Sequence, residues 1–156
     1  MHKHILLPTD GSELSEHALN YGVALAKAVN AKVTGVTVST PFHILTLEPQ
    51  IVTDTLDSYT TRMSIVAAQR LDRVKDAAKA AGVECDVVHV QHEHPYQAII
   101  DTAVSRGCDL IVMASHGRRG MSAIVLGSET VKVLTHSMIP VLVYRESQAK
   151  GFFAAS

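Results

Sequence analysis

Hydrophobic positions along this chain follow two alternating patterns. Short runs rich in Ile, Leu and Val are typical of buried strands, and longer segments with apolar residues every three or four positions are typical of helices. The short runs predict five strands, at residues 4–7, 32–38, 84–90, 109–114 and 140–144. The longer segments predict four helices, at residues 12–29, 60–81, 95–107 and 128–136. The predicted order is therefore strictly alternating, beginning and ending with a strand.

Helical connections between consecutive strands require those strands to run parallel, and such connections are right-handed. We therefore expect an α/β fold with a doubly wound parallel sheet between two layers of helices. Ligands of such sheets bind beyond the carboxyl ends of the strands, where the strand order reverses. If the first and fourth strands are neighbours, Pro8-Thr9-Asp10-Gly11 and the loop around Gly117 face one crevice. The hydrophobic pattern alone does not fix that adjacency.

Residues 39–59 depart from the alternation, because they contain Pro41 and Pro49 and show no firm periodicity. A structureless connection of this length in a small domain is usually functional, disordered or an unrecognised helix. We predict a partly helical flap over the crevice.

Composition narrows the class of protein further. The 156 residues are 47% apolar and 4% aromatic with no Trp, so aliphatic side chains must fill the core of one domain. The net charge of −1 argues against general nucleic-acid binding. No apolar run approaches the ~18 residues of a membrane span, and the short run after Met1-His2-Lys3-His4 does not suit a secretory signal. We expect a soluble cytoplasmic protein in which Cys85 and Cys108 are small buried hydrophobic residues.

The segment 114–128 carries the strongest chemical signal in the chain. It follows an apolar strand, ends where a helix is predicted to begin, and contains glycines, arginines and a serine, namely Gly117, Arg118, Arg119, Gly120, Gly127 and Ser128. Glycines at φ > 0 let the backbone approach an anion, and arginines donate bidentate hydrogen bonds. Ser128 suits the N-cap, with a hydroxyl able to turn towards a phosphate. An ordinary loop with turn glycines and solvated arginines explains the same residues, and neither nucleotide motif G-x-x-x-x-G-K-[ST] nor G-x-G-x-x-G is present.

Three segments of the chain resemble the universal stress protein family. They are His4-Ile5-Leu6-Leu7-Pro8-Thr9-Asp10-Gly11-Ser12, Val112-Met113-Ala114-Ser115-His116-Gly117-Arg118-Arg119-Gly120, and Gly127-Ser128 with Ile139-Pro140-Val141-Leu142-Val143. The ATP-binding branch of that family carries G-x-x-G, nine residues, then G-[ST]. Gly117, residues 118–126 and Gly127-Ser128 match this spacing, whereas Ala114 stands at the first glycine position.

The resemblance implies a single nucleotide-binding domain over residues 1–146, with a C-terminal tail over 147–156. It implies a five-stranded sheet of the adenine-nucleotide alpha-hydrolase type, in strand order 3-2-1-4-5. The implied ligand is ATP, with or without Mg²⁺ or Mn²⁺ held mainly by the phosphates. Implied positions near adenine and ribose are Pro8, Thr9, Asp10 and Val38, with Met113 beneath the nucleotide. Implied positions around the phosphates are Gly117, Arg118, Gly120, Gly127, Ser128, Glu129 and Thr130.

Several of these residues also have structural explanations. Glu129 is unfavourable beside an anion, and an acidic residue in a first helical turn complements the helix dipole. Asp10 suits a turn or a helix cap, and His116 suits either phosphate contact or an ordinary polar loop. His89, His92 and His94 have spacing that suits zinc or nickel, but strand alternation places His89 and His92 on opposite faces, and His94 suits an N-cap.

The fifth strand is strongly apolar and is predicted to lie at an edge of the sheet. An uncovered apolar edge favours pairing with another chain, and the resemblance also implies a homodimer through Val141, Leu142 and Val143. We therefore predict an ATP-binding stress-response protein that acts as a signalling dimer, with unknown protein partners and at most slow ATPase activity. The alternatives are a nucleotide-free interaction dimer and an adenine-nucleotide hydrolase or transferase, for which the sequence offers no recognisable catalytic base.

Overall fold

The computed structural model describes residues 1–42, 49–117 and 126–146, and these form a parallel sheet between two layers of helices. The strands are β1 His4–Pro8, β2 Lys32–Ser39, β3 Cys85–Gln91, β4 Leu110–Ala114 and β5 Val141–Tyr144. The helices are α1 Glu13–Val29, α2 Pro49–Ala81, α3 Pro95–Ser105 and α4 Ser128–His136. All nine predicted elements are present in the predicted order.

The sheet order is β3-β2-β1-β4-β5, which confirms the predicted fold class. Every strand pair is parallel, and β1 hydrogen-bonds β2 on one side and β4 on the other. The chain reverses its direction of winding between β1 and β4. The adjacency that the hydrophobic pattern left open is therefore present, and it places the two candidate loops at one edge of the sheet.

Alternate side chains of the central strand enter two separate cores. Ile5 and Leu7 pack with α1 and α2, where Val74 is fully buried. Leu6 packs on the other face with α3 and α4, where its neighbours include Val133. Because β1 is buried on both faces, it carries the uninterrupted apolar run typical of a parallel sheet covered by helices.

Helix α2 begins at Pro49, eleven residues before its predicted start. The segment predicted to be a partly helical flap is helical over 49–59, which agrees with that prediction, whereas Ser39 belongs to β2 and 43–48 lie outside the described residues. The side chain of Leu56 is 40% exposed and that of Ile65 is 55% exposed. No residue from 56 to 66 is buried, so this stretch of the helix needs no apolar stripe, which explains why the sequence pattern placed the helix start too late.

Across the described ranges, no helix is both long enough and apolar enough to cross a membrane. The two cysteines are free thiols, with Cys108 buried and Cys85 half-buried. Burial raises the pKa of the Cys108 thiol to about 11, with a smaller contribution from Asp109. This thiol behaves as a small apolar side chain, as predicted.

Candidate functional site

The turn after β1 is held rigidly at the carboxyl edge of the sheet. The N–H of Thr9 donates to the Val36 carbonyl at 2.9 Å, and the Thr37 hydroxyl donates to the Thr9 carbonyl at 2.8 Å. Gly11 has φ +79°, a conformation that favours glycine, and its N–H donates to the Thr9 hydroxyl. Pro8 is half-buried at the start of this turn. Two strands therefore fix the position of the segment that carries Asp10.

Asp10 lies directly against the loop that follows β4. Its Oδ1 accepts the Ser12 N–H at 2.9 Å, so the residue does form a turn, while Ser12 rather than Asp10 is the N-cap of α1. Its Oδ2 occupies the space that a Cβ on Gly117 would fill. A side chain at position 117 would have to displace this carboxylate. The absence of a Cβ at Gly117 thus brings the two loops into direct contact.

The start of α4 packs against the same loop. The N–H of Gly127 donates to the Ser115 carbonyl at 2.8 Å, and a Cβ on Gly127 would lie 3.0 Å from the His116 Cα. The first intrahelical bond runs from the Val131 N–H to the Gly127 carbonyl. The N–H groups of residues 128–130 precede that bond, and helix geometry leaves such groups without an intrahelical acceptor. They form the positive end of the α4 dipole.

Two predictions about this helix start are wrong. The N-cap is Gly127, not Ser128, which is the first helical residue and is exposed. Gly127 has φ −63° and ψ 154°, an extended conformation open to any residue, so it does not need the φ > 0 that we predicted. Its hydrogen bond to the β4 loop fixes where the helix begins. A Cβ at this position would press against His116, so glycine allows the close approach of the two segments.

The residues at the end of β4 are buried in apolar surroundings. Met113 is 6% exposed and joins the core formed with α3 and α4. The Thr130 hydroxyl is buried and donates to the Ala114 carbonyl at 3.0 Å, which ties α4 to the end of β4. Ala114 itself packs with Leu14 and Ala18 of α1. The methyl group that departs from the family motif is therefore accommodated by the apolar core on the α1 side.

The remaining predicted residues are distributed around this edge. Val38 is half-buried near the end of β2, beside Val90 of β3. His116 is half-buried, with Nδ1 3.3 Å from the Ser115 hydroxyl. Arg118, Arg119 and Gly120 lie outside the described residues.

Glu129 makes a contact that the sequence did not suggest. It lies in the first turn of α4, but its Oε2 accepts the Tyr96 N–H at 2.8 Å, at the start of α3. Its Oε1 lies 3.5 Å from Nζ of Lys132. The carboxylate therefore connects two helices besides complementing its own helix dipole. No local motif signals this contact, because 33 residues separate the two partners.

The histidines near the end of β3 are engaged with each other and with the backbone. His89 Nε2 lies 2.6 Å from the Ser39 hydroxyl, and burial together with the charge of Arg70 lowers the pKa of His89. His92 Nδ1 accepts the His94 N–H, and His94 occupies the N-cap of α3 without a side-chain capping bond. Among the described residues, no three His, Cys, Asp or Glu side chains are close enough together to hold a metal ion.

Comparison with known proteins identifies the relatives of this chain. The sequence profile of the universal stress protein family matches residues 1–145. The chain belongs to the universal stress protein family. Its relatives include the universal stress protein MJ0531 of Methanocaldococcus jannaschii, which is 29% identical over 150 residues, 94% of this chain and 84% of the relative.

Two solved structures extend the comparison to three dimensions. MJ0577, a universal stress protein of the same organism, superposes with a TM-score of 0.81 at 29% identity, over 95% of this chain and 99% of that chain. A universal stress protein solved in complex with cAMP superposes with a TM-score of 0.68 at 26% identity, over 94% of this chain and 99% of that one.

Proposed function

We propose that this universal stress protein binds ATP in the crevice between the β1 and β4 loops and acts as a nucleotide-dependent regulatory dimer. The observation that carries the proposal is the contact between Asp10 and Gly117, with the start of α4 beside it. A carboxylate, a close-packed backbone and the N–H groups of a helix start then surround one space. These groups are complementary to a ribose hydroxyl and to phosphate oxygens.

The residues present fit an adenine nucleotide. At Gly117 and at Gly127 a Cβ would meet a neighbour at short distance, so glycine lets the backbone segments at this edge approach each other closely. Ser128 and the first-turn N–H groups of α4 offer donors to phosphates, with Thr130 holding the helix in place. Arg118, Arg119, Gly120 and His116 are proposed to complete the phosphate side. When bound, ATP would place its negatively charged phosphate oxygens against these donors. Any Mg²⁺ or Mn²⁺ would be held mainly by the phosphates.

The base and sugar are proposed to lie towards β1 and β2. Asp10 accepts a hydrogen bond from the ribose, Pro8, Thr9 and Val38 line the adenine, and Met113 supports the nucleotide from below. The cAMP complex of a relative that is 26% identical supports this proposal, because cAMP contains adenine, ribose and one phosphate.

Titration calorimetry with ATP tests the site. We expect Gly117→Val to weaken ATP binding by at least about tenfold, because its side chain displaces the Asp10 carboxylate from the crevice. Ala80→Val is the matched control, since it adds the same kind of bulk at an exposed position of α2 and leaves ATP affinity unchanged. No binding of ATP by the wild type overturns the proposal. Equal binding by Gly117→Val places the nucleotide elsewhere.

We propose a binding module whose ATP hydrolysis is slow at most. Oδ1 of Asp10 is already engaged by the Ser12 N–H, and apart from His116 the proposed phosphate contacts are donors rather than bases. Phosphate release under saturating ATP and Mg²⁺ is expected to stay near the rate of a preparation carrying Gly117→Val. Rapid turnover lost in that variant would instead identify an enzyme.

The proposed dimer forms through β5. This strand pairs with β4 on one side and forms an end of the sheet order, and all four of its residues are half-buried. An edge strand presents unpaired N–H and C=O groups to another chain. We expect Val143→Lys to give monomers in light scattering, with Lys79→Ala on exposed α2 as a dimeric control. An unchanged dimer in Val143→Lys removes this strand from the interface.

A further inference from the structure

Glu129 occupies an unexpected position for an acidic residue in an anion site. It is the second residue of α4, the helix whose first N–H groups border the crevice. Its carboxylate accepts the Tyr96 N–H at 2.8 Å. Because His94 at the N-cap of α3 makes no side-chain capping bond, Glu129 supplies that cap from the neighbouring helix. The negative charge is thereby fixed beside the start of α4.

Lys132 is the positive counterpart of this carboxylate. Its Nζ lies 3.5 Å from Glu129 Oε1 and 5.6 Å from the centre of the Tyr96 ring. Both charged side chains are partly exposed, at 48% for Lys132 and 38% for Glu129. Water and salt therefore screen the pair, and Lys132 neutralises the carboxylate incompletely. A ligand with more phosphate charge near α4 meets more repulsion from Glu129.

We infer that Glu129 is a specificity-determining residue of the nucleotide site, an inference that rests on the function proposed above. Its fixed charge opposes each additional phosphate, so it reduces the preference of the site for ATP over AMP. Hydrogen bonding to Tyr96 keeps the charge in place, and Lys132 limits its strength. The two residues together adjust the relative affinity of the site for AMP and ATP, to a degree that depends on ionic strength.

The test measures the ratio of the dissociation constants for AMP and ATP, without metal, in calorimetric titrations. Glu129→Gln removes the charge but keeps a carbonyl oxygen that accepts the Tyr96 N–H. We expect it to raise the preference for ATP about threefold at low salt, with ADP intermediate. Lys132→Gln is the matched variant of opposite sign, and we expect it to lower that preference. Both changes shrink at high salt, because the effect is electrostatic.

Adenosine separates this inference from a structural role. A merely structural Glu129 changes the affinities for adenosine, AMP and ATP by the same factor, and that result overturns the inference. So does a change of the same sign in both variants, or one that salt leaves untouched. If the wild type binds none of these ligands, the proposed function fails and the inference fails with it. Binding with an unaltered ratio in both variants leaves the proposed function standing and removes Glu129 as a determinant.

Discussion

The two edges of the sheet at which its strands begin (the amino edge) and end (the carboxyl edge) use polar groups differently. At the amino edge the polar groups bond one another: His4 Nε2 lies 2.7 Å from the buried Thr34 hydroxyl, and Asp109 accepts the N–H groups of Lys3 and His4. At the carboxyl edge, the Asp10 carboxylate, the Gly117 backbone and the first turn of α4 surround a crevice. The same parallel strands thus end in a hydrogen-bonded network on one side and, on the other, in the loops where we propose that a nucleotide binds.

This difference separates stability from binding. A buried polar group that is already hydrogen-bonded stabilises the fold and has no capacity left for a ligand. Donors at a helix start beside close-packed glycines contribute less to the fold and are available for an anion. Substitutions at the amino edge should therefore change the free energy of unfolding, and substitutions at the carboxyl edge should change nucleotide affinity.

The largest expected effect is the loss of stability in His4→Ala. The side chain of His4 is buried, and its removal leaves a cavity and a Thr34 hydroxyl without its partner. We expect the free energy of unfolding to fall by about 2–4 kcal/mol in urea denaturation. His2→Ala, on the same edge but partly exposed, should cost about 0.5 kcal/mol or less. An equal loss in both variants would contradict the closed network at this edge.

A pair of glycine substitutions separates the effect on ATP binding from the effect on stability more sharply. Gly127→Ala places a Cβ 3.0 Å from the His116 Cα, so the helix start must shift, and we expect about tenfold weaker ATP binding. Gly107→Ala meets no atom within 4 Å but has φ +71°, so it should cost about 1 kcal/mol of stability without changing ATP affinity. Calorimetry and urea denaturation on both variants measure the two effects. Weakened binding in Gly107→Ala would break the comparison.

The smallest expected effect is the pH dependence of the amino edge. Burial, with the charge of Lys32, holds the pKa of His4 below 6.5, so the fold favours the neutral ring. Burial opposes ionisation of Asp109, but the N–H groups of Lys3 and His4 outweigh it and lower the pKa of the carboxyl. Both lowered pKa values therefore stabilise the folded state fully above pH 6.5. On acidification the contribution of His4 is lost first, because His4 in the unfolded chain takes up a proton below pH 6.5. The contribution of Asp109 is lost at lower pH.

His4→Gln provides the control for that dependence. Its amide keeps a hydrogen-bonding group near Thr34 but does not titrate. We expect its stability to decline less than that of the wild type between pH 6.5 and pH 5, measured by urea denaturation at each pH. A steeper decline in the variant would assign the dependence to other groups.

Much of the fold was predictable because local and long-range signals agree. The alternating pattern predicted each strand and helix of the described residues, and the family resemblance implied the strand order that the structure shows. The start of α2 was not predictable, because its described residues from 56 to 66 include no buried position and so carry a weak apolar signal. Its first residue, Pro49, is nonetheless suited to a first helical turn, where its missing N–H costs nothing.

The proximity of the loops that carry the candidate site was predictable in part. Spacing and resemblance pointed to Asp10, Gly117 and Gly127, and the structure brings these residues together. Ser128 was predicted to be the N-cap because serine is common at that position. The helix start is instead fixed by the hydrogen bond from the Gly127 N–H to the Ser115 carbonyl, whose partners are separated by a loop. The bond between Glu129 and Tyr96 depends on how two helices pack. Contacts of this kind depend on the tertiary structure and cannot be predicted from the local sequence.

The strand order also determines when the site is assembled during synthesis. β1 is made first, but one of its two partners is β4, which begins at Leu110. Until the ribosome has extended the chain past that point, one edge of β1 lacks its partner and exposes an apolar strand to aggregation. The crevice forms only once both strands are paired. A nascent or truncated chain lacking β4 cannot bring the two loops together, so binding at the proposed site would report that folding has reached its last stages.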